Sequence, residues 1–171
     1  MESLSDKLRS LGVQLGASQL KPPRPPAEKY PIETVISGSE HTTVFGNTFV
    51  VENRFPAEYH HGTQALCDVC DLTLVADWAK AGPFASLSLE KILFMDTETS
   101  GLAGGTGTFA FLIGLGYATP NEFRLIQLFM RDPSLEPALL ASLLEFVNGF
   151  EGMVTYNGKA FDVPLLNTRH V

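Results

Sequence analysis

The 171-residue chain is 44% hydrophobic and 18% charged, with a formal net charge of −7. That composition buries a core and excludes wholesale disorder, and the length fits one domain with at most a small annex. The most apolar stretch, residues 106–117, is too short and too rich in glycine to span a bilayer, and residues 1–9 lack the apolar run of a secretory signal, so a soluble cytoplasmic protein is expected.

Charge is unevenly placed. Residues 1–31 hold five basic and three acidic side chains, whereas residues 32–171 hold seven basic and sixteen acidic. An acidic body argues against sequence-independent coating of nucleic acid, which needs many lysines and arginines to neutralise phosphates. It leaves room for an enzyme that holds a strand end through metal ions.

Residues 3–15 space Leu4, Leu8, Leu11 and Leu15 at helical intervals, interrupted by Gly12. The run Lys21-Pro-Pro-Arg-Pro-Pro that follows reads as a stiff linker. From Ile32 to about Leu66 the pattern turns β-like, with a hairpin expected around Gly46-Asn47. Cys67 and Cys70 form a lone CxxC, half of a tetrahedral zinc site, with His60 and His61 nearby. Two reduced thiols are the simpler reading. Residues 71–80 have the pattern of a short amphipathic helix ended by Gly82-Pro83.

The second half is more sharply patterned. Residues 91–98 read as a buried strand, and residues 108–117 and 122–130 as two more around a turn at Thr119-Pro-Asn. A helix is expected from Pro133 to about Asn148, with Leu139, Leu140, Leu143, Leu144 and Val147 on one face. A short strand at 153–156, a turn at Asn157-Gly-Lys and a helix from about Val163 complete the pattern. Three strands, a crossover helix and a returning parallel strand describe an α/β mixed sheet with helices packed against it. The implied organisation is an N-terminal helix and linker over 1–30, a small β-rich region over 31–85 and an α/β domain over 90–171.

Within a strand, side chains i and i+2 share a face, so Asp96 and Glu98 project together from the end of their strand. Two adjacent like charges call for a cation between them, and Mg²⁺ or Mn²⁺ prefers hard oxygen ligands. A solvated pair is the alternative. The strand over 153–156 is expected to lie parallel beside it, delivering Asp162 to the same edge, where sites in such sheets gather. Asp162 also suits the N-cap of the following helix. Three carboxylates at one strand end suit a two-metal phosphodiesterase, whose ions sit roughly 3.5–4 Å apart. Gly104-Gly-Thr-Gly lacks the lysine and the following helix of a phosphate loop, and reads as a close-approach turn.

These two segments, Leu93-Phe-Met-Asp-Thr-Glu-Thr-Ser-Gly-Leu and Met153-Val-Thr-Tyr-Asn-Gly-Lys-Ala-Phe-Asp-Val-Pro-Leu-Leu, resemble the first and second motifs of the DnaQ-like (DEDD) 3′–5′ exonuclease superfamily. The stretch from Gly101 to Gly116 is similar, more specifically, to the YprB-type bacterial branch of ribonuclease H-like proteins. The resemblance implies an RNase H-like fold acting on a DNA or RNA strand end. It implies Asp96, Glu98 and Asp162 as catalytic ligands of two Mg²⁺ or Mn²⁺ ions. It places Gly101 and Leu102 against the terminal nucleotide and Asn157 at the pocket wall. It sets Phe161 beside a base or in the core, and Lys159 near a phosphate or simply exposed in its turn.

The superfamily also carries a third motif, with a fourth carboxylate and an upstream His or Tyr. Nine residues follow Asp162, and His170 at helical spacing is a poor substitute. The resemblance therefore implies a chain that stops before its last strand and helix. A metal-dependent nuclease, 3′–5′ exonucleolytic in complete form, is the leading expectation. A non-catalytic nucleic-acid-binding or scaffold module of the same fold is the alternative.

Overall fold

The computed structural model describes residues 6, 7, 10, 30–67, 71–101 and 107–169. The chain divides into two compact units, Met1–Pro31 and Ile32–Val171. In the first, Asp6, Lys7 and Ser10 are helical, within the segment where a helix is expected. The Ser10 hydroxyl donates to the Lys7 carbonyl at 2.7 Å. The rest of the segment where that helix is expected, the proline-rich run, Cys70, Leu102, the stretch 104–106 and His170 lie outside the described residues.

The second unit is a mixed α/β layer. Its strands are β1 (Ser39–Thr43), β2 (Gly46–Pro56), β3 (His60–His61), β4 (Gln64–Ala65), β5 (Ile92–Thr99), β6 (Ala110–Ala118), β7 (Glu122–Phe129) and β8 (Gly152–Thr155). Its helices are α1 (Thr73–Ala79), α2 (Glu136–Val147) and α3 (Asp162–Arg169). Six strands form one sheet in the order β1-β2-β7-β6-β5-β8, while β3 and β4 form a separate small hairpin. Neighbours in the large sheet are antiparallel, except for β5 and β8, which are parallel. This is the RNase H-like mixed sheet that the order of elements predicts. No helix among the described residues is long and apolar enough to cross a membrane.

The hairpin of β1 and β2 joins this sheet through β7, with Val50 opposite Leu128 and Glu52 opposite Ile126. The β-rich segment and the carboxylate-bearing strands therefore share one core. The hairpin turn differs from the expected one: pairing of Thr43 with Gly46 puts Val44 and Phe45 at the tip. Thr43 explains the shift. Its hydroxyl accepts from the Phe45 amide at 3.1 Å and donates to the Gly46 carbonyl at 3.0 Å, and Gly46 supplies the positive φ of 122° just after the tip. Two apolar residues at an exposed tip hid the turn from a reading based on glycine and asparagine.

Aspartates just upstream of α1 and α2 accept hydrogen bonds from nearby amides. Asp71 accepts from the Thr73 amide at 2.9 Å ahead of α1, and these hydrogen bonds to Thr73 hold its carboxyl below the usual range. Asp132 accepts from the Ser134 amide and hydroxyl at 2.9 and 2.6 Å ahead of α2. Asp162 is itself the first residue of α3 rather than the cap before it.

One face of the sheet carries Val50, Leu93, Met95, Ile113, Leu115, Ile126 and Leu128, which pack with Leu139, Leu140 and Leu143 of α2 and Leu166 of α3. Arg169 Nε donates to Glu136 Oε1 at 2.7 Å, tying the end of α3 to the start of α2. At the far end of the sheet Arg131 bonds Glu33 and Glu40 and lies 5.8 Å from the Phe49 ring centroid. Where α2 crosses β2, Ser142 and Thr48 are both buried, and their hydroxyl oxygens lie 2.8 Å apart.

Removing the Ser142 hydroxyl leaves Thr48 buried without that partner, at a cost of about 1–3 kcal/mol. Ser142→Ala is therefore expected to lower the urea midpoint at unchanged slope; an unchanged midpoint would show that the pair contributes nothing to seating α2.

Candidate active site

Strand β5 alternates faces, and the alternation assigns its side chains. Leu93 and Met95 enter the core shared with the helices, so Thr97 points to that same side. Phe94, Asp96 and Glu98 point to the other. In register, Phe94 faces Gly116, Asp96 faces Gly114 and Glu98 faces Leu112 of β6. The register shifts between Glu98 and Thr99, a bulge of the sort that re-aims side chains at the end of a strand.

On its other edge β5 pairs with β8 only from Ile92 to Met95, where Met95 meets Thr155. Asp96 to Thr99 thus run past the end of β8. Asp96 and Glu98 are both exposed. Neither carboxylate takes part in a salt bridge among the described residues. Beside them the open sheet face forms a depression of about 430 Å³, lined in part by Phe94, Phe123, Gly116 and Tyr156. The result is an apolar floor with an acidic rim.

After β8 the chain turns sharply. Asn157 adopts a left-handed φ of 58°, and its carbonyl accepts from the Ala160 and Phe161 amides at 3.1 and 3.2 Å. Gly158 is buried, and a Cβ there would lie 2.2 Å from Thr155 Oγ1 and 2.5 Å from Thr155 Cβ. The Gly158 carbonyl accepts from the Val163 amide at 2.9 Å, starting α3. This turn places Asp162, which is 4% exposed. The Thr97 hydroxyl donates to Asp162 Oδ1.

The structure therefore brings Asp96 and Glu98 together on one face and joins Asp162 to Thr97 on the other. Among the described residues no three His, Cys, Asp or Glu side chains are grouped as a metal site needs. The donor chemistry of the exposed pair fits a hard divalent cation. Asp162 has one oxygen engaged by Thr97 and a second that keeps its lone pairs.

The remaining expected residues divide by position. Gly101 follows β5, where the Thr99 hydroxyl donates to its carbonyl at 3.0 Å. Lys159 is exposed in its turn and Phe161 is half-buried. Asn157 is exposed and acts through its backbone. His60 and His61 are exposed on the β3–β4 hairpin, and Cys67 is half-buried. Thr97 was not anticipated. Its signal was parity: a residue between two carboxylates on a strand faces the helix that carries the third.

Residues 93–171 match the family model of the RNase H superfamily. The chain is also 34% identical over 124 residues to the uncharacterized protein YprB of Bacillus subtilis (strain 168), an alignment covering 70% of this chain and 29% of that protein. The chain thus spans less than a third of the length of that relative.

Gly158→Ala drives a methyl group into Thr155 and is expected to cost about 1–3 kcal/mol. Lys159→Ala next to it should stay within about 0.5 kcal/mol. Denaturant melts of the two variants check the contrast, and equal melts would mean the turn relaxes without strain.

Proposed function

Because the chain belongs to the RNase H superfamily through residues 93–171 as a YprB-type RNase H-like protein, we propose that it is a metal-dependent nuclease that shortens DNA or RNA from the 3′ end. The observation that supports this most is the placement of Asp96 and Glu98. They share one face of β5, extend past β8 and border an apolar depression.

In this reading Asp96 and Glu98 hold Mg²⁺ or Mn²⁺ and Asp162 adds a third carboxylate. Bound there, such ions lower the pKa of water and stabilise charge on the attacking and leaving oxygens of the phosphodiester. The chain's own residues do the rest. The acidic pair repels a bare phosphate, so strand binding depends on the cation and needs few basic residues. The apolar floor beside the pair accepts the face of a base. Gly101 at the end of β5 lets the strand end approach the backbone closely, and Lys159 in the turn before α3 meets a backbone phosphate.

A second reading, a non-catalytic module of the same fold, draws support from Asp162. Its carboxylate is buried and bonded to Thr97, and the three acidic groups are not clustered among the described residues.

The discriminating experiment gives the full-length protein 5′-labelled single-stranded DNA and RNA with Mg²⁺ or Mn²⁺. A ladder of products shortened from the 3′ end is expected. Asp96→Asn should slow it on the order of 100-fold or more, since losing a metal ligand forfeits several kcal/mol of charge stabilisation. Absence of cleavage of either polymer would favour the non-catalytic module, and cleavage as fast in Asp96→Asn as in wild type would overturn the assignment of the site.

A further inference from the structure

Cross-strand pairing sets three residues in one row on the open face of the sheet. Asp96 of β5 is opposite Gly114 of β6, and Gly114 is opposite Gln127 of β7. The outer two strands are two spacings apart, about 9–10 Å, and the middle one offers no side chain. A Cβ added at Gly114 would meet only the Asp96 carbonyl oxygen within 4 Å among the described residues, at 3.8 Å. The next glycine on that face differs, because a Cβ at Gly116 would come within 2.8 Å of the Phe123 ring. Phe123 therefore fills the row at Gly116, and the row at Gly114 is left as a slot. Phe94 and Phe123, with ring centroids 6.3 Å apart, border it on that side, and Tyr156, 91% exposed, lines the same depression. Ile126 and Leu128 belong to the core, so Gln127 points into the depression. No hydrogen bond among the described residues engages its carboxamide.

We propose that this slot binds a nucleobase carrying an exocyclic amino group, as adenine and cytosine do, lying over Gly114 between Asp96 and Gln127. The inference rests on the nucleic-acid reading of the protein for the class of its ligand, and no metal ion enters it. At about 430 Å³ the depression falls within the span of small-molecule sites. Aromatic walls and a floor of bare backbone suit a flat ring. The polar groups at either end decide which ring. Ionised Asp96 only accepts hydrogen bonds, so it takes the amino N–H, while the Gln127 carboxamide donates to a ring nitrogen or carbonyl across the slot. Uracil and hypoxanthine carry a carbonyl where the amino group would be. They set acceptor against acceptor and cover the carboxylate without giving it a partner. The charges bordering the slot are acidic, so it recognises the base and not the phosphate.

The test is NMR titration of the full chain with four nucleosides in EDTA, which removes any contribution from metal. Cytidine and adenosine are expected to shift the Gly114 and Gly116 amides and to bind at least about tenfold more tightly than uridine and inosine. Asp96→Asn, whose side chain both donates and accepts, should erase that preference. Gly114→Val puts a side chain into the slot where an added Cβ meets no close neighbour, and valine suits a strand. It should abolish the shifts from all four nucleosides without lowering the melting temperature. If Gly114→Val does not fold, Gly114→Ala makes the same comparison with a single methyl group. No binding of cytidine or adenosine, equal affinity for cytidine and uridine, or cytidine binding that survives the filled slot would each overturn the inference. A chain that cleaves DNA or RNA with Mg²⁺ or Mn²⁺ yet shows no such preference sinks the base slot alone. Amino-selective binding by a chain that cleaves neither polymer sinks the nuclease reading and leaves the slot in place.

Discussion

Strand β5 runs through the middle of the carboxylate-bearing end of the sheet, and its two faces have opposite surroundings. On one side Leu93 and Met95 pack with the helices. On the other, Phe94 lies under an open depression. Because a strand reverses the direction of its side chains at every residue, this division cannot change along β5 without a bulge. Asp96 and Glu98 therefore emerge on the open side and Thr97 on the helix side, and the position of every other group at the site follows from that parity. A one-residue slip in pairing with β6 would bury two carboxylates among leucines and expose Leu93 and Met95. The apolar core thus enforces the placement of the acidic pair.

Length mismatch between neighbouring strands does the remaining positioning. Pairing with β8 stops at Met95, so the carboxylates occupy the part of β5 that has no partner on that edge. The chain leaving β8 must then turn back at once, and the contact of Gly158 with Thr155 shows how tightly it does so. The turn ends in α3, whose first residue is Asp162. Since Leu165 and Leu166 are buried in the same helix, the core that sets the parity of β5 also fixes the rotation of α3. Asp162 and Thr97 meet because both elements answer to one apolar layer.

Much of this was readable in the sequence because it depends on short-range periodicity. The alternation in Ile92–Thr99 and the helical spacing of Leu139, Leu140 and Leu143 are properties of a few neighbouring residues, and both appear in the structure. The pairing of Asp96 with Glu98 follows from the same rule. What could not be read was set by distant contacts. That β1 and β2 complete the sheet depends on pairing of β2 with β7, from Pro56 with Glu122 to Phe49 with Phe129, far apart in the chain. The hairpin tip at Val44-Phe45 depends on how one threonine hydroxyl is used. The partner of Asp162 was out of reach as well. An aspartate at a helix start is equally consistent with capping, and only the docking of α3 against β5 reveals the Thr97 hydroxyl sixty-five residues away.

The three carboxylates are unequal in environment, and that inequality bears on what the site can do. Asp96 and Glu98 are exposed, so water solvates them and their mutual repulsion is modest in the absence of a cation. Asp162 is buried, so water cannot do the same for it, and a protein hydroxyl takes part of that role. The exposed pair therefore answers to solvent and the buried carboxylate to the docking of α3, so a change on the open face reaches Asp96 and Glu98 while a change in the apolar layer reaches Asp162.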